Sequence, residues 1–181
     1  MNQNLADELV MMMREDQRLL QQLFDSGELP AGSYHPRMKA LHQQNTSRLK
    51  EIMRHHGWPG LSLVGKDGAK AAWLIAQHSV SEPEFMAECA GLLEEAVSKD
   101  DTEGWQLAFL QDRVRTLSGN PQYYGTQFDT DEQGWPTPFP IEEPATVNAR
   151  RARLGMNTLE ERQEQMIEQE RKRRANAAKT R

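Results

Sequence analysis

At 181 residues, with 37% hydrophobic and 27% charged residues, the chain is long enough for one domain with a real core, yet polar enough to leave part of itself outside it. The single cysteine, Cys89, excludes an internal disulfide and a cysteine cluster for zinc, and no stretch reaches the roughly 18 apolar residues of a membrane span. The net charge of −5 divides unevenly: residues 149–181 hold ten Lys/Arg against five Asp/Glu, a local +5 that leaves −10 on the remainder.

Along the chain, Leu5, Leu9, Met12, Met13, Leu19, Leu20, Leu23 and Phe24 fall on one face of a first helix, with Asn4 as its cap and Asp7 and Glu8 in its first turn. Ser26-Gly27 and residues 30–33 end it. A second helix carries Met38, Leu41, Leu49, Ile52 and Met53, and Gly57 stands where a helix stops, before Trp58-Pro59-Gly60. Residues 61–64 read as a short strand or buried connector. Gly65-Lys66-Asp67-Gly68 then leads into an alanine-rich helix over 69–80. Ser81-Glu82-Pro83-Glu84 has capping-box spacing for a helix with Phe85, Cys89, Leu92, Leu93 and Val97 inside. The next helix, 103–117, starts at Asp101 or Thr102 and is apolar on more than one face, which predicts a central position.

Ser118-Gly119-Asn120-Pro121 stops that helix. Residues 122–128, a turn over 129–134 and a proline-rich extended stretch to 141 predict a small, irregular hairpin laid over the helices. Residues 148–155 predict a short helix. Thr158 begins a last, polar helix with almost no apolar stripe, expected to fray or dock elsewhere. The expected fold is mainly α, a bundle of five to seven helices with a small irregular β-hairpin near residues 122–141. The expected domain is 1–157, followed by a charged helix or tail at 158–181.

Polar groups gather at three places. His55-His56 ends a helix, where the dipole favours a protonated imidazole, so His56 is a candidate proton donor; neutralising the last carbonyls is its structural alternative. Gln77-His78 closes an otherwise apolar helix, where burial and the dipole pull a histidine in opposite directions. Arg113, in a mainly apolar helix, needs a partner: Asp16, Glu88 or Asp112 in an ion pair, or an anionic ligand. Within the run QYYGTQF, Gln122, Tyr124, Thr126 and Gln127 offer donors and acceptors, and Gly125 permits close backbone approach. Read as a strand, the run would put Gln122, Tyr124 and Thr126 on one face.

Other patterns fall away. Gly65 to Gly68 lacks P-loop spacing, Asp129-Thr130-Asp131 lacks the glycine and distal glutamate of a calcium loop, and there is no G-x-S-x-G turn. The histidines form no H-E-x-x-H or other close ligand spacing, so no metal ligand is assigned and a metal centre would have to come from folding. No cofactor is indicated.

Taken in order, His56-Gly57-Trp58-Pro59, Val64-Gly65, Gln77-His78, Asp112-Arg113, Gln122-x-Tyr124-Gly125-Thr126-Gln127-Phe128 and Asn148-x-Arg150-Arg151 resemble a bacterial domain family of unknown function, over residues 52–159. The resemblance supplies positions and no mechanism, and it implies that the first helices and the charged tail are peripheral. The functional expectation is a small enzyme, a hydrolase or lyase, doing acid–base chemistry on a polar or anionic small molecule. His56 and His78 would be catalytic, and Arg113, Gln122, Tyr124, Thr126 and Gln127 would bind substrate. A non-catalytic ligand-binding or protein-interaction module is the alternative. The acidic body argues against a nucleic-acid-binding core, and the basic last helix is the candidate surface for a protein partner. The N-terminal stretch lacks the basic, then apolar, order of a signal peptide, so no membrane partner is expected and the cytoplasm is the expected compartment.

Overall fold

A computed structural model describes residues 1–28 and 34–179. The chain divides into two compact units, 1–103 and 104–181. The fold is mainly α: seven α-helices among the described residues and one two-stranded antiparallel sheet. No described helix is long and apolar enough to cross a membrane.

The first unit holds α1 (Gln3–Asp25), α2 (Pro36–His56), α3 (Leu61–His78) and α4 (Pro83–Ser98). Helix α1 begins one residue earlier than its predicted cap, because the Asn2 side chain, and not Asn4, accepts from the Leu5 N–H. Leu5, Leu9, Leu19 and Leu23 are its buried stripe. Residues 30–33, part of the predicted break after α1, lie outside the described residues. Helix α2 ends as expected: Gly57 takes φ +73°, and its N–H donates to the Met53 carbonyl.

Residues 61–64 form neither strand nor connector; they are the first turn of α3, which kinks at Gly65 (φ +68°) and resumes. Asp101 explains why a helix starts there. Its carbonyl accepts from Leu61 N at 2.8 Å and its Oδ1 accepts from Ser62 N at 2.6 Å, so orphan donors of the first turn are satisfied from 40 residues away. A Cβ on Gly60 would lie 2.1 Å from Asp101 Oδ2, so only glycine fits. Helix α3 buries Ala69, Ala71, Ala72, Ile75 and Ala76, and this small-residue face lets α1 pack closely on it. Ahead of α4 there is no capping box: Glu82 is the cap residue and its side chain makes no capping bond, because it pairs with Lys50. Cys89 is fully buried, and burial pushes its thiol up to about 12, an inert packing group.

The second unit holds α5 (Gly104–Leu117), β1 (Phe128–Thr130), β2 (Pro136–Pro138), α6 (Val147–Arg153) and α7 (Leu159–Lys179). β1 and β2 pair antiparallel, with Phe128 opposite Pro138, and a parallel bridge joins Gln122 to Ile141. Helix α7 does dock, against β2: Arg174 lies over the Trp135 ring at 4.0 Å and donates to the carbonyls of Gln133 and Gly134. At the hairpin a cation–π contact and two hydrogen bonds from Arg174 stand where an apolar stripe is missing.

Candidate functional site

Each unit is organised around a buried aspartate. In the first, Asp16 is 2% exposed although it sits on the apolar stripe of α1, between Leu9 and Leu19. His42 occupies the equivalent stripe position of α2, between Met38 and Leu49, and His78 is the last residue of α3. Three helices therefore deliver one carboxylate and two imidazoles to a single point. His78 Nδ1 lies 2.7 Å from Asp16 Oδ2, and His42 Nε2 lies 2.9 Å from the same oxygen without hydrogen-bond alignment. The two rings stand 4.7 Å apart, centroid to centroid. Tyr34 Oη hydrogen-bonds His42 Nδ1.

The electrostatics follow from this crowding. Burial opposes a charge on Asp16, but the imidazoles of His42 and His78 set against it, with their charges, outweigh it and hold the carboxyl at about 2. Burial, and then the charge of Asp16, push the Tyr34 hydroxyl up to about 12, so it stays protonated. Asp16 Oδ1 is buried with no hydrogen-bond partner among the described residues, an unmet demand. The side chain of His78 is 25% exposed, against 10% for His42, so the cluster meets solvent at His78.

In the second unit, Asp112 on α5 is fully buried and fully used. Its carboxylate accepts from the N–H groups of Tyr123 (2.7 Å), Tyr124 (3.0 Å) and Thr126 (2.9 Å), and from the Thr126 hydroxyl (2.9 Å). Burial raises its pKa and these four donors act against that rise. The run 122–127 is thus a loop wrapped round a carboxylate and not an alternating strand, and Gly125, at φ +67°, makes the wrap. From the other side, buried Arg151 donates to the carbonyls of Tyr124 and Asn157, and Arg150 donates to that of Tyr123.

Of the residues singled out in the sequence, His78 stands in the Asp16 cluster. His56 does not: it is exposed at the end of α2, 14 residues and so roughly 21 Å along the helix from His42. Arg113, Gln122, Thr126 and Gln127 are brought together. Arg113 donates to Gln127 Oε1 at 3.2 Å, Gln127 donates to Thr126 Oγ1 at 3.0 Å, and Gln122 bonds the Gln127 and Phe139 carbonyls and the Gln127 N–H. Tyr124 takes part through its backbone, and its ring stands edge-on to Tyr123. Asp16 and Glu88, two of the ion-pair partners considered for Arg113, belong to the first unit, and Asp16 is engaged with His42 and His78.

Beside this loop lies a cavity of about 230 Å³, bounded by Trp105, Phe109, Thr126, Arg151, Asn157 and Arg162. Arg162 Nε is buried and has no hydrogen-bond partner among the described residues. Burial, then the nearby charge of Arg162, lower the pKa of Arg151.

Asp16 and His42, which carry the first site with His78, were not among the sequence candidates. The signal was present: each is a polar residue on an apolar stripe, Asp16 between Met12 and Leu19 and His42 between Met38 and Leu49.

The sequence matches the model of one family, described as a family of unknown function (DUF6624), over residues 3–171. That span is longer at both ends than the 52–159 read from motifs, and it takes in α1, hence Asp16, and most of α7. No curated protein and no solved structure matches the chain.

Proposed function

Since the chain belongs to this family of unknown function, its chemistry must be read from its own side chains, and we propose a small enzyme, hydrolase or lyase in class, with Asp16, His42 and His78 as its reacting centre. The observation that carries the proposal is one buried carboxylate oxygen within 2.9 Å of two imidazoles from different helices. Asp16 fixes the ring of His78 through Nδ1, which leaves Nε2 as the atom for acid–base work on a polar or anionic small molecule reaching the exposed edge. Tyr34 holds the second ring from behind. His56 has no part in this centre. A cytoplasmic location fits an unpaired, buried cysteine, and the charged helix α7 remains the candidate contact for a protein partner.

The test is a screen of the full chain against chromogenic esters, phosphate esters, amides and small anionic metabolites. Turnover lost in His78→Ala, at an unchanged thermal midpoint, is the expected result. Turnover that survives in both His78→Ala and Asp16→Asn would remove the centre from the reaction.

A second reading, ligand binding without catalysis, is favoured by the cavity of the second unit, where Arg151 and Arg162 lie close and Arg162 Nε is buried without a hydrogen-bond partner among the described residues. Trp105 and Phe109 give that cavity an apolar wall. Under this reading inorganic phosphate or a small aromatic carboxylate raises the thermal midpoint of the wild type and not of Arg162→Ala. Equal shifts in the two proteins would count against it.

A further inference from the structure

The geometry points to a zinc site formed by Asp16, His42 and His78, one on each of α1, α2 and α3. The inference rests on the reading of these residues as the reacting centre and adds the ion that works there. One ligating atom from each residue lies within 4.8 Å of the other two. Zinc binds imidazole nitrogen and carboxylate oxygen at about 2.0–2.2 Å, and catalytic sites use three protein ligands and leave a fourth position to water. Around a tetrahedral ion of that size the ligand atoms stand roughly 3.3 Å apart. The present separations of 2.7 and 2.9 Å open to that value by side-chain movements of a few tenths of an ångström.

Two observations separate this cluster from an ordinary buried ion pair. Asp16 is only 2% exposed, yet among the described residues its Oδ1 has no partner, and buried His42 Nε2, though close to the carboxylate, makes no aligned hydrogen bond. A purely structural carboxylate is saturated, as Asp112 is. The support behind the ligands also has the form a metal site requires. Tyr34 accepts from His42 Nδ1–H in the tautomer that presents the Nε2 lone pair to the ion, the outer hydrogen bond that fixes a ligating imidazole. The partial exposure of His78 leaves the open coordination position on the solvent side, where water enters and a substrate follows. When bound, zinc supplies a hydroxide-like water near neutral pH, which is what a hydrolase needs at this point.

The experiment titrates chelator-treated full-length protein with zinc, in competition with a chromophoric chelator. Cobalt(II) serves as a second probe, its visible absorption reporting a tetrahedral site. The expected result is one zinc per chain, weakened at least about 100-fold in His78→Ala, since even the loss of an outer-shell partner weakens metal binding by about 10–100-fold. Tyr34→Phe falls within that smaller range, and the exposed His55→Ala leaves the affinity unchanged. Circular dichroism establishes that each variant is folded, and His78→Gln replaces His78→Ala if the latter is not. No stoichiometric binding by the wild type, or binding untouched by His78 substitution, overturns the site. Zinc binding without turnover on any substrate class would sink the enzyme reading alone, whereas turnover insensitive to chelator but lost in His78→Ala would sink the zinc site alone.

Discussion

The two buried aspartates of this protein are opposites. Asp112 receives four hydrogen bonds from a loop that has folded around it, and nothing on its carboxylate is left to give. Asp16 is equally hidden, yet one of its oxygens has no partner among the described residues and the other is crowded by two imidazoles. A carboxylate saturated by its own chain holds structure, because removing it strands several buried donors at once. A carboxylate that its own chain leaves partly unmatched is the usual mark of a site that acts on something else.

The contrast breaks most easily through stability. Asp112→Ala should lower unfolding free energy by roughly 3–5 kcal/mol in urea titrations, as expected for stranding partners of a buried charge. Asp16→Asn should cost less, about 2 kcal/mol, because it loses the hold of two imidazoles on the charge but strands no ring of buried backbone donors. Comparable losses in the two variants would erase the distinction between them. Next in size is Gly125→Ala, which forces a side chain into a left-handed conformation and sets its Cβ 2.5 Å from Leu159 Cδ1. A loss of about 2–3 kcal/mol is expected, and one under about 0.5 kcal/mol would mean the loop is not clamped as described.

Acid sharpens the comparison because the two groups shift in opposite directions. Asp16 titrates at about 2, below its ordinary 3.8, so its contribution is present above pH 4 and is lost as pH falls through 2. The pKa of Asp112 is raised by burial, so protonation relieves a cost before the ordinary carboxylate range is reached. Urea midpoints followed against pH should show Asp16→Asn flattening the acid loss and Asp112→Asn removing an opposed trend. The smallest effect expected is that of Arg174→Ala, about 0.5–1 kcal/mol from one cation–π contact at the hairpin, read from the thermal midpoint. A loss several times larger would make α7 a structural pillar of its unit.

Much of the fold was legible because its signals are local. Leucine spacing set α1, Gly57 with Trp58-Pro59 ended α2, and the prolines of 136–140 confined that stretch to an extended edge. The start of α3 was illegible because its cap, Asp101, arrives from beyond α4. The strand expected at 122–127 failed for a related reason: alternation describes side chains, whereas the donors that matter there are backbone N–H groups converging on a carboxylate ten or more residues upstream. His78 could be singled out as a polar residue in an apolar helix, but its partners lie 36 and 62 positions away, on helices whose periodicity was read for leucine alone. A stripe is as informative where it is interrupted as where it is kept.

The tie between Asp101 and the start of α3 has a consequence for how the first unit opens. By fastening residue 101 to residues 61 and 62, it converts α3 and α4 into a closed loop whose two ends can be released only together. Such a segment exchanges its amide protons as one cooperative block. His78 sits inside that block, while Asp16 and His42 sit outside it. Solvent exchange at the amides of 61 and 62, measured beside exchange near His78, is expected to show whether the clasp and the third side chain of the cluster open together.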